Sequence, residues 1–101
     1  MKKVVNGKMY NTETAEYIGT YSNNLSESDF RHLCEDLYKK KTGEFFLEGE
    51  GGPLTRYKEP VGDMWRSGSA IIPLDEAEAK AWVEAHLDAE AYIELFGEPE
   101  E

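Results

Sequence analysis

The stretch Phe30-Arg31-His32-Leu33-Cys34-Glu35-Asp36-Leu37-Tyr38-Lys39-Lys40-Lys41-Thr42-Gly43-Glu44-Phe45-Phe46-Leu47-Glu48 decides the fold, because it supports two incompatible readings. As a helix, Phe30, Leu33, Cys34, Leu37 and Tyr38 fall on the i, i+3, i+4, i+7, i+8 spacing of one apolar stripe, with Ser28 as the cap. As a hairpin, strands near 33–40 and 44–48 flank Lys41-Thr42-Gly43. Gly43 then supplies the left-handed turn position and Phe45-Phe46-Leu47 the strand core. Periodicity by itself favours the helix over 30–38.

Toward the N-terminus, Lys3-Val4-Val5 and Lys8-Met9-Tyr10 flank Asn6-Gly7, a pair that accepts positive φ at both central positions of a type I′ turn. Asn11-Thr12-Glu13-Thr14 offers a cap for a short helix through Ala15, Tyr17 and Ile18, stopped near Gly19. Residues 20–29 are polar and read as a connection.

Toward the C-terminus, residues 49–68 hold five of the nine glycines and two of the four prolines, and read as a long loop of the kind that is often functional. Ala70-Ile71-Ile72 reads as a short strand ended by Pro73. Asp75 and Glu78 have capping-box spacing ahead of a helix with the stripe Ala79, Trp82, Val83, His86 and Leu87. Asp88 caps a second helix carrying Ala89, Tyr92, Ile93 and Phe96, and Gly97 and Pro99 stop it.

A chain of 101 residues has room for one domain, 1–101, and the four Phe, six Tyr and two Trp are enough for a core. The one cysteine, Cys34, cannot form an internal disulfide, and a secreted domain this small would carry several. No apolar run follows the basic N-terminus and none has the length of a membrane span, so the reading is cytoplasmic with no membrane association.

The net charge is −10, and it is placed unevenly. The acidic helical segment 75–101 has ten acids against a single base, Lys80, whereas the first 74 residues have 11 acids and 10 bases. Such a surface repels nucleic acid and anionic membrane and attracts basic protein surfaces.

Three groups of residues bear on function. His32, Cys34 and Glu35 are close in sequence, but a catalytic triad is assembled from distant segments, and two His with one Cys fall short of a zinc site. No catalytic residue, metal or cofactor is expected. Gly49-Glu50-Gly51-Gly52-Pro53 lacks the Lys and Ser/Thr of a phosphate loop and reads as a turn.

The second group is Arg56, Tyr57, Lys58, Trp65 and Arg66, an interleaving of basic and aromatic side chains. It fits a single-stranded nucleic-acid binder, a protein-interaction hot spot, or a loop that Tyr57 and Trp65 pin to the core. The third is Glu90, Glu94 and Glu98, a like-charged row with no base between, whose members lie about 6 Å apart on a helix. That row either imitates a phosphate backbone or serves solubility, while Glu76, Lys80 and Glu84 offset one another on an ordinary solvated face.

Several segments together carry a resemblance. They are Asn11-Thr12-Glu13-Thr14-Ala15, Leu37-Tyr38 through Lys41-Thr42-Gly43-Glu44-Phe45-Phe46-Leu47, and Gly49-Glu50-Gly51-Gly52-Pro53, followed by Ile71-Ile72-Pro73-Leu74, Ala79, Trp82, Tyr92 and Phe96-Gly97. The chain resembles a group of small proteins from Gram-positive bacteria and their phages, plasmids and conjugative elements. The resemblance spans almost the whole chain and names no chemistry. It implies the hairpin reading of 33–48, and it implies an anti-CRISPR protein, because genes of this kind often lie among short anti-defence genes.

The expected fold is therefore α+β. A small antiparallel sheet of hairpins plus the strand at 70–72 is covered by the short N-terminal helix and the two C-terminal helices. The expected core is Val4, Met9, Tyr10, Ile18, Leu37, Phe45, Leu47, Ile71, Trp82, Val83, Tyr92 and Phe96. The expected function is an acidic inhibitor that occupies a basic, nucleic-acid-binding surface of a host protein, by the resemblance a CRISPR effector nuclease. The alternative is a nucleic-acid-binding accessory protein of a mobile element that uses the 56–66 loop.

Overall fold

A computed structural model describes residues 1–100 as eight strands followed by two helices. The strands are β1 (Lys2–Val5), β2 (Lys8–Asn11), β3 (Glu16–Ser22), β4 (Leu33–Lys39), β5 (Phe45–Gly51), β6 (Glu59–Val61), β7 (Met64–Arg66) and β8 (Gly68–Leu74). The helices are α1 (Glu76–His86) and α2 (Ala89–Phe96). The protein is α+β: β3, β4, β5 and β8 form one antiparallel sheet in that order, and β1–β2 and β6–β7 are separate two-stranded hairpins.

The ambiguous stretch is a hairpin. β4 and β5 pair from Leu33 opposite Gly51 to Lys39 opposite Phe45. The turn closes through Gly43 N–H to the Lys40 carbonyl at 2.8 Å, with Gly43 at φ +95°. The helical spacing fails because burial follows a period of two: Glu35 and Leu37 are buried on one face, and Tyr38 on the other stacks on Phe46 at 5.3 Å. Phe30, which begins the apparent helical stripe, is 64% exposed. Pairing with β5 on one side and β3 on the other buries Leu37 fully, and local propensity yields to it.

Two other expectations are corrected. Residues 11–18 contain no helix: Asn11 accepts from the Glu13 N–H at 2.9 Å and the chain turns once before entering β3. The β-branched and aromatic residues Tyr17, Ile18, Thr20 and Tyr21 favour that strand, which completes the sheet beside β4. Gly19 is therefore no helix stop; an added Cβ there would lie 2.9 Å from Leu87 Cδ2, so glycine lets the α1–α2 corner seat on the sheet. Pro73 does not end its strand but lies within β8, opposite Phe46. It shares the parity of Ser69, whose N–H points away from β5 to the Glu59 carboxylate at 3.4 Å, so its missing donor falls on the free edge.

The span 49–68 is less irregular than its composition implies. β5 runs on to Gly51, and β6–β7 form a hairpin around Gly62 (φ +59°) and Asp63, the glycine-first pattern of a type II′ turn.

The sheet buries both faces unequally. On one, Leu37, Phe45 and Leu47 meet Ala79, Trp82 and Val83 of α1, with Ile18, Tyr92 and Phe96 at the margin. On the other, Tyr10 of the β1–β2 hairpin covers Phe46 and Ile71. Val4 and Met9 are not core; they are 60% and 49% exposed. They pair with each other on the outer face of β1–β2, because alternation turns Val5 and Tyr10 inward instead. α1 has its capping box, with Asp75 accepting from Glu78 N–H and Glu78 accepting from Asp75 N–H, and α2 is capped by Asp88.

Candidate functional site

The basic-aromatic segment 56–66 divides into an inward part and an outward part. Tyr57 is 2% exposed. Its ring lies over Gly49, where any side chain would collide with it, and Gly49 pairs with Glu35 on the neighbouring strand. Tyr57 Oη donates to Glu35 Oε2 at 2.5 Å, and Trp82 Nε1 of α1 donates to Oε1 at 3.0 Å. Arg56 Nη1 stands 3.5 Å from Oε2. Burial, and next the bond to Glu35, hold the Tyr57 phenol far above its ordinary pKa. Two segments, 56–57 and α1, thus converge on one buried carboxylate of β4, a structural clasp in which a hydrogen bond to a charged group contributes about 1.5–3 kcal/mol.

The outward part is the β6–β7 hairpin. Trp65 is 53% exposed, with Lys58 Nζ 4.4 Å above its ring, and Met64 and Val61 are exposed beside the turn. Arg66 is bound to Glu59 at 3.2 Å. Of the five basic and aromatic residues only Tyr57 is buried; Arg56, Lys58, Trp65 and Arg66 stay exposed, but Trp65 is the one open ring, so the segment presents one stacking ring rather than a platform.

Glu90 and Glu94 are exposed on α2. Glu98 is exposed too, but it does not extend their row: α2 ends at Phe96 and Gly97 turns the chain at φ +86°. Glycine with positive φ ends the helix one residue before the row would be complete. Among the described residues, Glu84, Glu90, Glu94 and Glu98 make no ion pair, while Glu76 takes Lys80 at 3.6 Å. The expected Glu76–Lys80–Glu84 offset is therefore half made, and Glu84 is left uncompensated.

Sequence reasoning missed a second acidic patch. Asp36 of β4 lies directly opposite Glu48 of β5, and Glu50 follows on the same face, away from the helices. Like charges directly opposite in a sheet are destabilising. The alternation of Glu48 and Glu50 in β5 is visible in the sequence, but the partnership with Asp36 exists only once the register is known. His86 is also more than a helix-face residue: it stacks on Tyr21 at 3.8 Å.

His32, Cys34 and Glu35 do not come together. Cys34 and Glu35 alternate to opposite faces of β4, and the His32 Nδ1 is 3.1 Å from the Leu25 carbonyl. Burial, followed by repulsion from Asp36, pushes the Cys34 thiol up and away from the reactive thiolate. Among the described residues no helix is long and apolar enough to cross a membrane. No family model, curated protein or solved structure matches the chain.

Proposed function

We propose that the chain is an acidic protein-binding inhibitor that occupies a basic, nucleic-acid-binding surface of a host protein. The observation that carries this reading is the α1–α2 segment, where Glu84, Glu90, Glu94 and Glu98 stand without cationic partners among the described residues. Glu90 and Glu94 are separated by about 6 Å, on the scale of phosphate spacing along a nucleic acid. A negative field of this kind attracts a nucleic-acid-binding surface, accelerates encounter and competes with the natural ligand. The resemblance to proteins of Gram-positive mobile elements narrows the proposed partner to a CRISPR effector nuclease, and the proposed role to an anti-CRISPR protein. No catalytic step or cofactor enters the reading. The rival, nucleic-acid binding through 56–66, loses support from the inward turn of Tyr57, which leaves Trp65 as the one exposed ring of the segment.

The test is capture from host lysate on the immobilised protein and on its E90Q/E94Q/E98Q variant, with and without added polynucleotide. The reading expects a nucleic-acid-binding protein held by the parent, weakly held by the variant, and released by polynucleotide. Capture indifferent to both changes would count against it.

A further inference from the structure

α2 is an eight-residue helix with four large apolar side chains, none of them fully buried. A helix this short is unstable alone and depends on covering its apolar face. Tyr92, Leu95 and Phe96 reach the core margin, but Ile93 is 41% exposed. At the α1–α2 corner, Leu87, Ala89, Tyr92, Ile93 and Pro99 line a groove of about 380 Å³ together with Glu84 and Asp88, one of whose oxygens caps α2. On α2, Glu90 lies one turn before Ile93, so a further carboxylate stands beside the apolar strip. Lys80, the one base of this segment, is engaged elsewhere, with Glu76 and over the Phe96 ring.

We infer that this groove seats a basic amphipathic segment of a partner protein, with one aliphatic side chain on Ile93 and Lys or Arg side chains on either side. The inference rests on the proposed acidic contact surface and specifies what that surface recognises. An apolar strip bordered by Glu84, Asp88 and Glu90 matches such a segment and mismatches both a nucleic acid, which is anionic, and a neutral apolar helix, which would leave the carboxylates desolvated without partners. The cationic stems also cover apolar surface while their heads reach the rim.

The test uses synthetic peptides of equal length: repeating Lys-Lys-Leu, all Lys, and repeating Gln-Gln-Leu. Binding is measured by calorimetry, with chemical-shift mapping of the Ile93 methyl and the Ala89 amide. The Lys-Lys-Leu peptide is expected to bind about tenfold tighter than all-Lys, the order of one buried aliphatic side chain. Ile93→Gln, at an exposed position, should erase that preference and leave all-Lys binding unchanged. Glu84→Gln should weaken both basic peptides. Equal affinity for the two basic peptides, or no effect of Ile93→Gln, would overturn the groove while leaving the acidic surface standing. Equal binding of Gln-Gln-Leu would overturn the choice of a basic occupant. Failure of both basic peptides to bind would overturn the groove and the acidic surface together.

Discussion

Tyr57 donates its hydroxyl to Glu35 over the bare backbone of Gly49, and this bond joins the segment after β5 to the centre of the sheet. Trp82 reaches the other carboxylate oxygen from α1, so a buried charge on β4 is held by two donors that lie 22 and 47 residues away. Removing either donor leaves that charge with less than its full set of partners, and the penalty exceeds the loss of an average hydrogen bond.

Tyr57→Phe is expected to destabilise the protein by about 1.5–3 kcal/mol, and Trp82→Phe by a similar amount plus a packing loss. Urea unfolding at neutral pH measures both. Because the two donors share one acceptor, the double variant should depart from additivity by more than about 0.5 kcal/mol. Additive values would mean that Glu35 does not couple them.

Gly49→Ala is expected to cost more than an ordinary strand substitution, where alanine would be neutral or better. The new Cβ enters the volume of the Tyr57 ring and must displace it from Glu35. A loss of about 1–3 kcal/mol, largely abolished in a Tyr57→Ala background, is the expected signature. A stabilised Gly49→Ala protein would contradict the placement of the ring.

Part of the acid sensitivity should come from Glu44. Its hydrogen bonds to Lys8, first, and Lys40, second, hold its carboxyl at about 2, below the ordinary 4.5. A depressed folded-state value means that the stabilisation is present above pH 4.5 and is lost as pH falls from there through about 2. Lys8 belongs to β2 and Glu44 to the β4–β5 turn, so the same pair ties the N-terminal hairpin to the sheet. Glu44→Gln should flatten the acid limb of the stability profile in that window, and an unchanged limb would show that the pair does not form in solution.

The free protein is expected to give no gel shift with DNA or RNA at ~150 mM salt, because non-specific binding depends on cationic contacts and the chain carries −10. A clear shift, abolished by changing Arg56, Lys58 and Arg66 together, would favour the nucleic-acid-binding alternative.

How much of this was legible beforehand varied along the chain. The C-terminal helices could be read to their caps, because Asp75, Glu78, Asp88 and Gly97 act within one turn of the backbone. The Asn6-Gly7 hairpin was equally local, and both residues adopt the positive φ that the pair implies. The stretch 30–48 was not legible from periodicity, since Leu33, Leu37 and Tyr38 complete a helical stripe, while on a strand Leu33 and Leu37 share one face and Tyr38 takes the other. What selects the strand is pairing with β5 and β8, which no local pattern contains. The helix expected at 11–18 failed because Tyr17, Ile18, Thr20 and Tyr21 favour a strand and β3 pairs with β4. In the candidate site, Glu90 was found outside as its charge suggested, whereas of the two rings read as pinning the loop to the core only Tyr57 does so and Trp65 lies outside on the hairpin. The inward turn of Tyr57 depended on Glu35, a residue 22 positions away with no local sign of burial.

The acidic α1–α2 surface is expected to make the contact, and two variants measured against one partner test this. E90Q/E94Q/E98Q removes the charge at sites with no packing role, and relief of repulsion between Glu90 and Glu94 should stabilise the fold by a few tenths of a kcal/mol. W65A/R66A removes the exposed ring and its neighbour on the hairpin, the competing hot spot. Affinity and association rate are measured for both across a range of ionic strength. The account predicts weaker binding and slower association for the triple Gln variant, a parent rate that falls as salt rises, and little effect of W65A/R66A. Unchanged affinity for the triple Gln variant, with little salt dependence and a large loss for W65A/R66A, would contradict it and leave the C-terminal charge as a solubility feature.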